Sequence, residues 1–265
     1  MNSKDLTVAA LSSGNTPLPA ASGSWAALTV VDGEATWLGA VPADAPVGGN
    51  PFDVLAATLE LLRTDRMPDL PPLHGGMVGY LGYDAMQYFE PSLALKASDD
   101  FDPFRFGLYK DGLILDKMTG EVTYFYYDNS RYDFLQTLIE AADEPAGALS
   151  ITALGDTMSK TQHAEAVAKV KQDIIDGKVF QCEVGFKKRF RIQGDTLALY
   201  DQLRTINPSP QMYYVKFGDQ KLIGASPELL FRLRQGEMET FPLAGTTLRG
   251  QTPQEDTQLA RALLN

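Results

Sequence analysis

A glycine-threonine segment near the end of the chain carries the clearest chemistry in the sequence. Residues 242–250 read Pro-Leu-Ala-Gly-Thr-Thr-Leu-Arg-Gly. Gly245 has no side chain, so the backbone can approach a ligand there, and the hydroxyl of Thr246 can donate a hydrogen bond. The guanidinium of Arg249 can pair with a carboxylate. Taken alone, however, the segment is better explained as an ordinary junction between a strand and a loop.

The elements on either side of this segment position it. A strand is predicted before it at residues 238–243, and a helix start after it at residues 252–255, where threonine, proline and glutamate occupy the cap, first and third positions. The acids Glu255 and Asp256 are explained by this helix start, where the helix dipole favours negative charge. Since no core-forming element follows the helix before Asn265, we expect an interrupted domain.

Another strand is predicted at residues 179–190. Apolar and polar residues alternate there, and Gln181 lies on the polar side. A helix precedes it, with capping-box spacing from Ser159 to Gln162 and an end at Gly177. Further strands are predicted at 212–217, 221–225, 229–233 and 238–243. Short turns between consecutive strands imply antiparallel pairing, so the predicted class is α+β.

The N-terminal half predicts a helix from residue 50 to about residue 63, capped by Asn50. Its expected apolar stripe is Phe52, Leu55, Leu59 and Leu62. The glycine-rich run 75–84 matches no phosphate-binding motif, so it predicts a strand packed closely against a neighbour. The remaining predicted elements are strands at 25–31, 35–38, 104–115 and 121–127 and a helix at 133–142.

Composition excludes several classes of protein. The formal charge of −11, from 34 acidic and 23 basic residues, argues against nucleic acid as a partner. The single cysteine, Cys182, excludes an internal disulfide and suits a reducing compartment. No signal peptide or membrane-spanning run is evident, and two distant histidines with one cysteine do not suit zinc. We therefore expect a soluble cytoplasmic protein.

Four segments, in order, resemble those of the chorismate-utilising enzymes, anthranilate synthase component I in particular. They are 75–90 (beginning G-G-M-V-G-Y-L-G-Y-D), 174–190 (beginning I-I-D-G-K-V-F-Q), N-P-S-P-Q-M-Y at 207–213 with G-A-S-P-E at 224–228, and P-L-A-G-T-T-L-R-G at 242–250. The resemblance covers roughly residues 70–265. It implies the conversion of chorismate and ammonia, the latter from glutamine, to anthranilate and pyruvate in tryptophan biosynthesis.

The same resemblance implies a fold and a domain division. The fold would be an α/β/β/α sandwich whose antiparallel sheets pack orthogonally, incomplete here at the C-terminus. Residues 1–148 would form the N-terminal region of the synthase, and residues 149–265 the start of a truncated chorismate-binding domain. A partly formed sandwich should leave an apolar sheet face uncovered.

Resemblance also assigns roles to individual residues. Gly245 and Thr246 would contact chorismate, with Gln181, Ala244 and Arg249 close by. Relatives that make aminodeoxychorismate commonly carry a nucleophilic lysine at the position of Ala244, and relatives that add water carry a lysine base at that of Gln181. Neither alanine nor glutamine can do that chemistry, so ammonia is the implied nucleophile.

The remaining expectations concern metal, inhibitor and partners. The family's Mg²⁺ ligands and catalytic histidine are expected beyond Asn265, so we predict no metal ligands in this chain and no activity from the chain alone. Pro210, Gln211 and Met212 match the tryptophan-inhibitor segment, with glutamine in place of tyrosine. A glutamine amidotransferase subunit is the implied partner. The alternatives are aminodeoxychorismate synthase component I and a non-catalytic fragment that binds chorismate or tryptophan.

Overall fold

The computed structural model describes residues 26–31, 34–39, 44–45, 47–63, 74–96, 100–127, 129–140, 147–243 and 245–264. The chain divides into two compact units. The first combines Met1–Ala142 with Pro208–Asn265, and the second is Asp143–Asn207. Every strand pair among the described residues is antiparallel, which confirms the α+β class. The boundary at 148/149 was expected from the family resemblance and not from the packing of this chain, and it stays a prediction.

A four-stranded sheet and one helix begin the first unit. The strands are β1 (Ala26–Val31), β2 (Glu34–Gly39), β3 (Gly76–Leu81) and β4 (Phe104–Tyr109), in the order β2-β1-β4-β3, and the helix is α1 (Pro51–Leu61). Val54 of α1 is buried against Phe104 and Leu108 of β4, and these three residues form the core of the unit. Asn50 caps α1 as predicted, its side-chain oxygen accepting from the Phe52 N–H at 2.9 Å.

The predicted apolar stripe of α1 is only partly correct. Leu59 is 48% exposed, whereas Thr58 is fully buried. Burial of Thr58 costs little because its hydroxyl donates to the Val54 carbonyl at 2.7 Å. Phe52 and Leu55 pack against the core as expected.

The glycine-rich run begins one residue before β3 and ends after it, and three of its four glycines, Gly75, Gly79 and Gly82, are sites of close packing, as predicted. The fourth, Gly76, meets no atom within 4 Å and has φ of +116°. A Cβ on Gly79 would stand 2.0 Å from the Arg105 carbonyl oxygen on β4. A Cβ on Gly75 would stand 2.7 Å from the ring of Tyr127, whose hydroxyl donates to the His74 carbonyl at 2.7 Å. A short 3₁₀ helix that the sequence did not predict, Tyr83–Tyr88, follows β3.

An ion pair connects the next hairpin to the helix after it. The hairpin is β5 (Asp111–Leu115) with β6 (Val122–Tyr126), and the helix is α2 (Tyr132–Glu140). Arg131 donates two hydrogen bonds to the Asp111 carboxylate, both of 2.6 Å, and its N–H donates to the Tyr124 hydroxyl at 2.8 Å. The side-chain hydrogen bonding with Asp111 raises the pKa of the Arg131 guanidinium.

The second unit contains β7 (Ser150–Asp156), α3 (Lys160–Ile175), β8 (Lys188–Gln193) and α4 (Thr196–Ile206). The capping box of α3 is confirmed. Ser159 Oγ accepts from the Gln162 N–H at 3.2 Å, and the Gln162 side chain accepts from the Ser159 N–H at 2.9 Å. Gly177, with φ of +73°, follows the end of the helix.

The predicted strand at 179–190 is wrong over most of its length, because residues 179–187 have no regular structure and β8 begins at Lys188. β8 pairs with β7, a strand that the sequence did not predict. The segment before β8 is held instead by a few hydrogen bonds. Lys187 and Thr157 exchange two, from the Lys187 N–H to Thr157 Oγ1 and from the Thr157 N–H to the Lys187 carbonyl, both of 2.9 Å. A third joins His163 Nε2 and the Val184 carbonyl at 3.0 Å.

Two hairpins and a helix complete the first unit. They are β9 (Gln211–Phe217) with β10 (Gln220–Ser226), β11 (Leu229–Arg234) with β12 (Glu237–Phe241), and α5 (Pro253–Leu263). The first hairpin contacts the N-terminal part of the unit. The rings of Tyr80 and Phe217 lie 6.1 Å apart, and Gln220 Nε2 donates to the Asp100 carbonyl at 3.2 Å.

One face of the β11–β12 hairpin is apolar and exposed. Phe231, Leu233 and Met238 are between 60% and 73% exposed. Arg232 and Glu239, directly opposite each other on the two strands, form an ion pair. Over the described ranges, no helix combines the length and apolarity needed to cross a bilayer.

Candidate functional site

The glycine-threonine segment forms an open loop between β12 and α5. Residues 245–250 have no regular secondary structure, and both Gly245 and Thr246 are exposed. The Thr246 hydroxyl therefore lies on an accessible surface, as a ligand-binding role requires. Ala244 falls outside the described residues.

A carboxylate holds the first part of this loop. Glu228, in the connection between β10 and β11, accepts a hydrogen bond from the Leu243 N–H at 3.1 Å through Oε1. Its own carbonyl accepts from Ser226 Oγ at 3.0 Å. Two of the segments that carry the family resemblance, 224–228 and 242–250, are thereby joined. This anchoring role of Glu228 was not predicted from the sequence. The available signal was an acid directly after a serine and a proline.

The first turn of α5 holds the other end of the loop. Asp256 accepts from the Gly250 N–H at 2.8 Å through Oδ1, and its Oδ2 lies 2.7 Å from Arg249 Nη2. Glu255 accepts from the Gln251 N–H at 2.8 Å. Only glycine fits at position 250, because a Cβ there would stand 2.2 Å from the backbone nitrogen of Asp256.

Arg249, predicted to lie near the substrate, thus forms an ion pair with Asp256, the residue that also holds the loop. Its side chain is 89% exposed, so the ion pair with Asp256 is largely in water. An exposed pair of this kind contributes about 0–1 kcal/mol, which leaves the guanidinium able to exchange this partner for another carboxylate. Its contact with a substrate stays a prediction.

The last turn of α5 approaches the start of the loop. A Cβ on Gly245 would stand 2.9 Å from Cδ1 of Leu263. The absent side chain therefore makes room for a leucine, whereas sequence reasoning reserved that space for a ligand. Helix α5 contacts the loop at both ends, through Asp256 and through Leu263.

The predicted tryptophan-contacting residues lie at the start of β9. Pro210 and Gln211 are exposed, and Met212 is partly buried. Gln211 is paired with Ser226 of β10, and Met212 with Ala225. The segments 207–213 and 224–228, recognised separately in the sequence, are therefore neighbours on adjacent strands. Close packing supports this pairing, because a Cβ on Gly224 would stand 2.2 Å from the ring of Tyr213.

Gln181 belongs to the second unit, where it is exposed in the irregular segment before β8. Its amide offers hydrogen bonds but no titratable base. The described side chains include no group of three or more histidines, cysteines, aspartates and glutamates placed to hold a metal ion. These side chains do not fit the Mg²⁺ site implied by the family.

The sequence of the chain assigns it to a class of chorismate-binding enzymes. The sequence profile of the family described as chorismate binding enzyme matches residues 21–265, and the chain belongs to this family.

Within that family, anthranilate synthases are among the proteins similar to this chain. The chain is 48% identical over 195 residues to anthranilate synthase component 1 of Leptospira biflexa, covering 72% of this chain and 42% of that protein. It is 38% identical over 191 residues to the component 1 of Methanothermobacter thermautotrophicus, covering 72% and 40%. The crystal structure of anthranilate synthase component I from Streptococcus pneumoniae TIGR4 has the same fold, with a TM-score of 0.68 at 21% identity, covering 97% of this chain and 60% of that one. The chain spans less than half the length of these two curated relatives.

Proposed function

We propose that this chain is the chorismate-binding N-terminal portion of an anthranilate synthase large subunit. The observation that carries the proposal is the open loop at residues 245–250, held by Glu228 before it and Asp256 after it, in a chain similar to proteins of that name. The overall reaction of the complete enzyme would convert chorismate and ammonia to anthranilate, pyruvate and water.

Two contacts with chorismate are proposed for this loop. The exposed Gly245 backbone can approach the substrate, and the Thr246 hydroxyl can donate to a carboxylate or hydroxyl of the substrate. Exposure of both residues supports this role. The loop is anchored before the ligand arrives, so little ordering would be required on binding.

Ammonia is the proposed nucleophile. Position 181 carries a glutamine, which cannot remove a proton from water, and position 244 carries an alanine, which has no amine to attack the ring. Ammonia is itself a stronger nucleophile than water and requires less activation. The ammonia would come from glutamine through an amidotransferase subunit.

The rest of the proposal concerns parts beyond the described site. The antiparallel hairpins would belong to an α/β/β/α sandwich with orthogonal sheets, whose completion would cover the Phe231, Leu233 and Met238 face. Mg²⁺ would be held by residues outside those described here. Pro210, Gln211 and Met212 would contact tryptophan as an inhibitor, and the protein would be cytoplasmic.

Titration of the purified chain with chorismate in a calorimeter tests the binding proposal. We expect saturable binding that Thr246→Ala weakens, and that the matched variant Thr247→Ala, which removes the adjacent hydroxyl, leaves unchanged. Equal affinity of both variants would remove Thr246 from the site, and absence of binding by the unaltered chain would refute the proposed function.

A second assay addresses turnover and product. We expect no fluorescent anthranilate from the chain with chorismate, ammonia and Mg²⁺, and anthranilate once a downstream segment is restored. Aminodeoxychorismate as the product would favour the aminodeoxychorismate synthase alternative. Binding of tryptophan or chorismate without turnover, even in the longer protein, would favour a non-catalytic binding fragment.

A further inference from the structure

Helix α5 contacts the glycine-threonine loop at both the first and the last turn of the helix. The Asp256 carboxylate in the first turn binds the Gly250 N–H, and Leu263 in the last turn lies against the Cα of Gly245. An α-helix of this length spans about 16 Å, enough for its two ends to reach the two ends of the loop. The position of the loop is therefore coupled to the position of one helix.

Asp256 is not required to cap that helix. Thr252 is the N-cap, with its hydroxyl accepting from the Glu255 N–H at 3.2 Å. Both Asp256 carboxylate oxygens are directed to the loop instead, one to the Gly250 N–H and one to Arg249. The carboxylate is only 29% exposed, so its hydrogen bond to Gly250 is partly shielded from water.

Backbone contact at Gly250 makes this connection tight. With 2.2 Å between a Cβ at Gly250 and the Asp256 nitrogen, the loop backbone lies directly on the first turn of the helix. At the other end, Glu228 holds the Leu243 N–H. Gly245, Thr246, Thr247 and Leu248, which are all exposed, lie between these two anchors.

We propose that Asp256 is a positioning residue for chorismate, which fixes the Gly245–Thr246 backbone by holding Gly250 and Arg249 on helix α5. This inference rests on the proposed function. Asp256 does not contact the substrate; it sets where the Thr246 hydroxyl and the Gly245 backbone are presented. From the sequence, the same aspartate was explained as an acid that favours the start of a helix. If Asp256 had only that role, its removal would change the stability of the chain but would not by itself change the affinity for chorismate.

The test compares four variants of the whole chain, with chorismate as the probe. Asp256→Ala removes both contacts, Asp256→Asn keeps a neutral acceptor for Gly250, and Arg249→Ala removes only the exposed ion pair. Glu60→Ala is the matched control, because it removes an exposed carboxylate–arginine pair, with Arg63, at the end of α1. Each variant is measured for its chorismate Kd, the hydrogen exchange of the Gly250 amide and the thermal unfolding midpoint.

We expect Asp256→Ala to raise the chorismate Kd about tenfold, equivalent to about 1.4 kcal/mol, and to accelerate exchange at Gly250. Asp256→Asn should recover most of the affinity, and Glu60→Ala should change neither quantity. Arg249→Ala should leave exchange at Gly250 unchanged, because Asp256 still accepts from that amide. The midpoint should differ little among the variants, since a purely structural loss would lower it together with the affinity.

Two results would overturn the positioning role. One is unchanged Gly250 exchange in Asp256→Ala; the other is faster exchange with no change in Kd, in a chain that binds chorismate normally. Absence of chorismate binding by the unaltered chain would refute the proposed function, and with it the role of Asp256 toward chorismate. Slow hydrogen exchange of the Gly250 amide in the unaltered chain would then show that Asp256 still anchors the loop, and that only the proposal of chorismate binding has failed.

Discussion

Replacement of Gly79 by alanine provides a quantitative test of why glycines are concentrated in β3. The added Cβ would stand 2.0 Å from the Arg105 carbonyl oxygen and 2.7 Å from Phe106 Cα. Both are backbone atoms of β4, the strand directly paired with β3. Unlike a side chain, they cannot rotate away, so the strands themselves would have to separate.

The expected cost follows from this separation. Ordinary contact requires about 3.4 Å, so the oxygen at 2.0 Å would have to retreat by more than an ångström, which lengthens the adjacent ladder hydrogen bonds beyond the normal 2.7–3.2 Å range. Two such bonds contribute about 1 kcal/mol each, and overpacking adds about 1–3 kcal/mol. We therefore expect Gly79→Ala to lower the free energy of unfolding by about 3–5 kcal/mol.

Urea unfolding measures this loss directly. With a slope of about 3 kcal/mol/M, the midpoint should fall by about 1–1.7 M, and hydrogen exchange of the β3 and β4 amides should accelerate. Gly185→Ala is the control, since a Cβ there meets no atom within 4 Å. If Gly79→Ala unfolds at the same midpoint as Gly185→Ala, close packing does not explain the glycine.

Three further outcomes are expected. Arg131→Met should lower the free energy of unfolding by about 2 kcal/mol, as it leaves the largely buried Asp111 carboxylate without its two hydrogen bonds; an unchanged urea midpoint would contradict this. Thr246→Ala in a longer, active protein should cost about 1.5–3 kcal/mol of chorismate affinity, and unchanged kinetics would contradict it. Burial raises the pKa of Tyr109, so the unfolded chain ionises first and stability should fall as the pH rises above about 10. Tyr109→Phe should weaken that alkaline loss, as urea midpoints measured against pH would reveal.

Local signals predicted the starts of α1, α3 and α5 correctly, because the capping atoms lie a few residues apart. Asn50 and the Ser159–Gln162 pair are examples, and each makes the expected hydrogen bond. The same signals did not predict α4, although Asp195 caps it in the same way. The buried side of α1 was harder to predict. Thr58 occupies the interior and Leu59 does not, because an internal hydrogen bond satisfies the threonine hydroxyl, and simple polarity does not show that.

Strand prediction failed where pairing depends on distant residues. Residues 179–187 alternate in polarity, yet alternation stabilises a strand only if another strand pairs with it. The partner β7 pairs with residues 188–193 instead, and its own sequence, Ser-Ile-Thr-Ala-Leu-Gly-Asp, carries a glycine and no strict alternation. The register was therefore not predictable from either segment alone.

For the candidate site, motif resemblance located the loop but not its supports. Gly245 and Thr246 were identified from the order of residues around them. Asp256 was assigned to the helix start, because its hydrogen bond to Gly250 reaches back across a turn whose geometry is not evident from composition. Leu263 next to Gly245 was equally unpredictable, since that contact depends on the direction of the helix.

The interrupted first unit has a consequence for synthesis on the ribosome. Its two parts flank residues 143–207, and the contact between Gln220 and Asp100 joins residues 120 positions apart. The N-terminal sheet therefore leaves the ribosome before its later hairpins, and the first unit cannot be completed until the whole of the second unit has emerged. Closing so long a loop slows folding, so during translation the intervening unit should be the first to acquire its native structure.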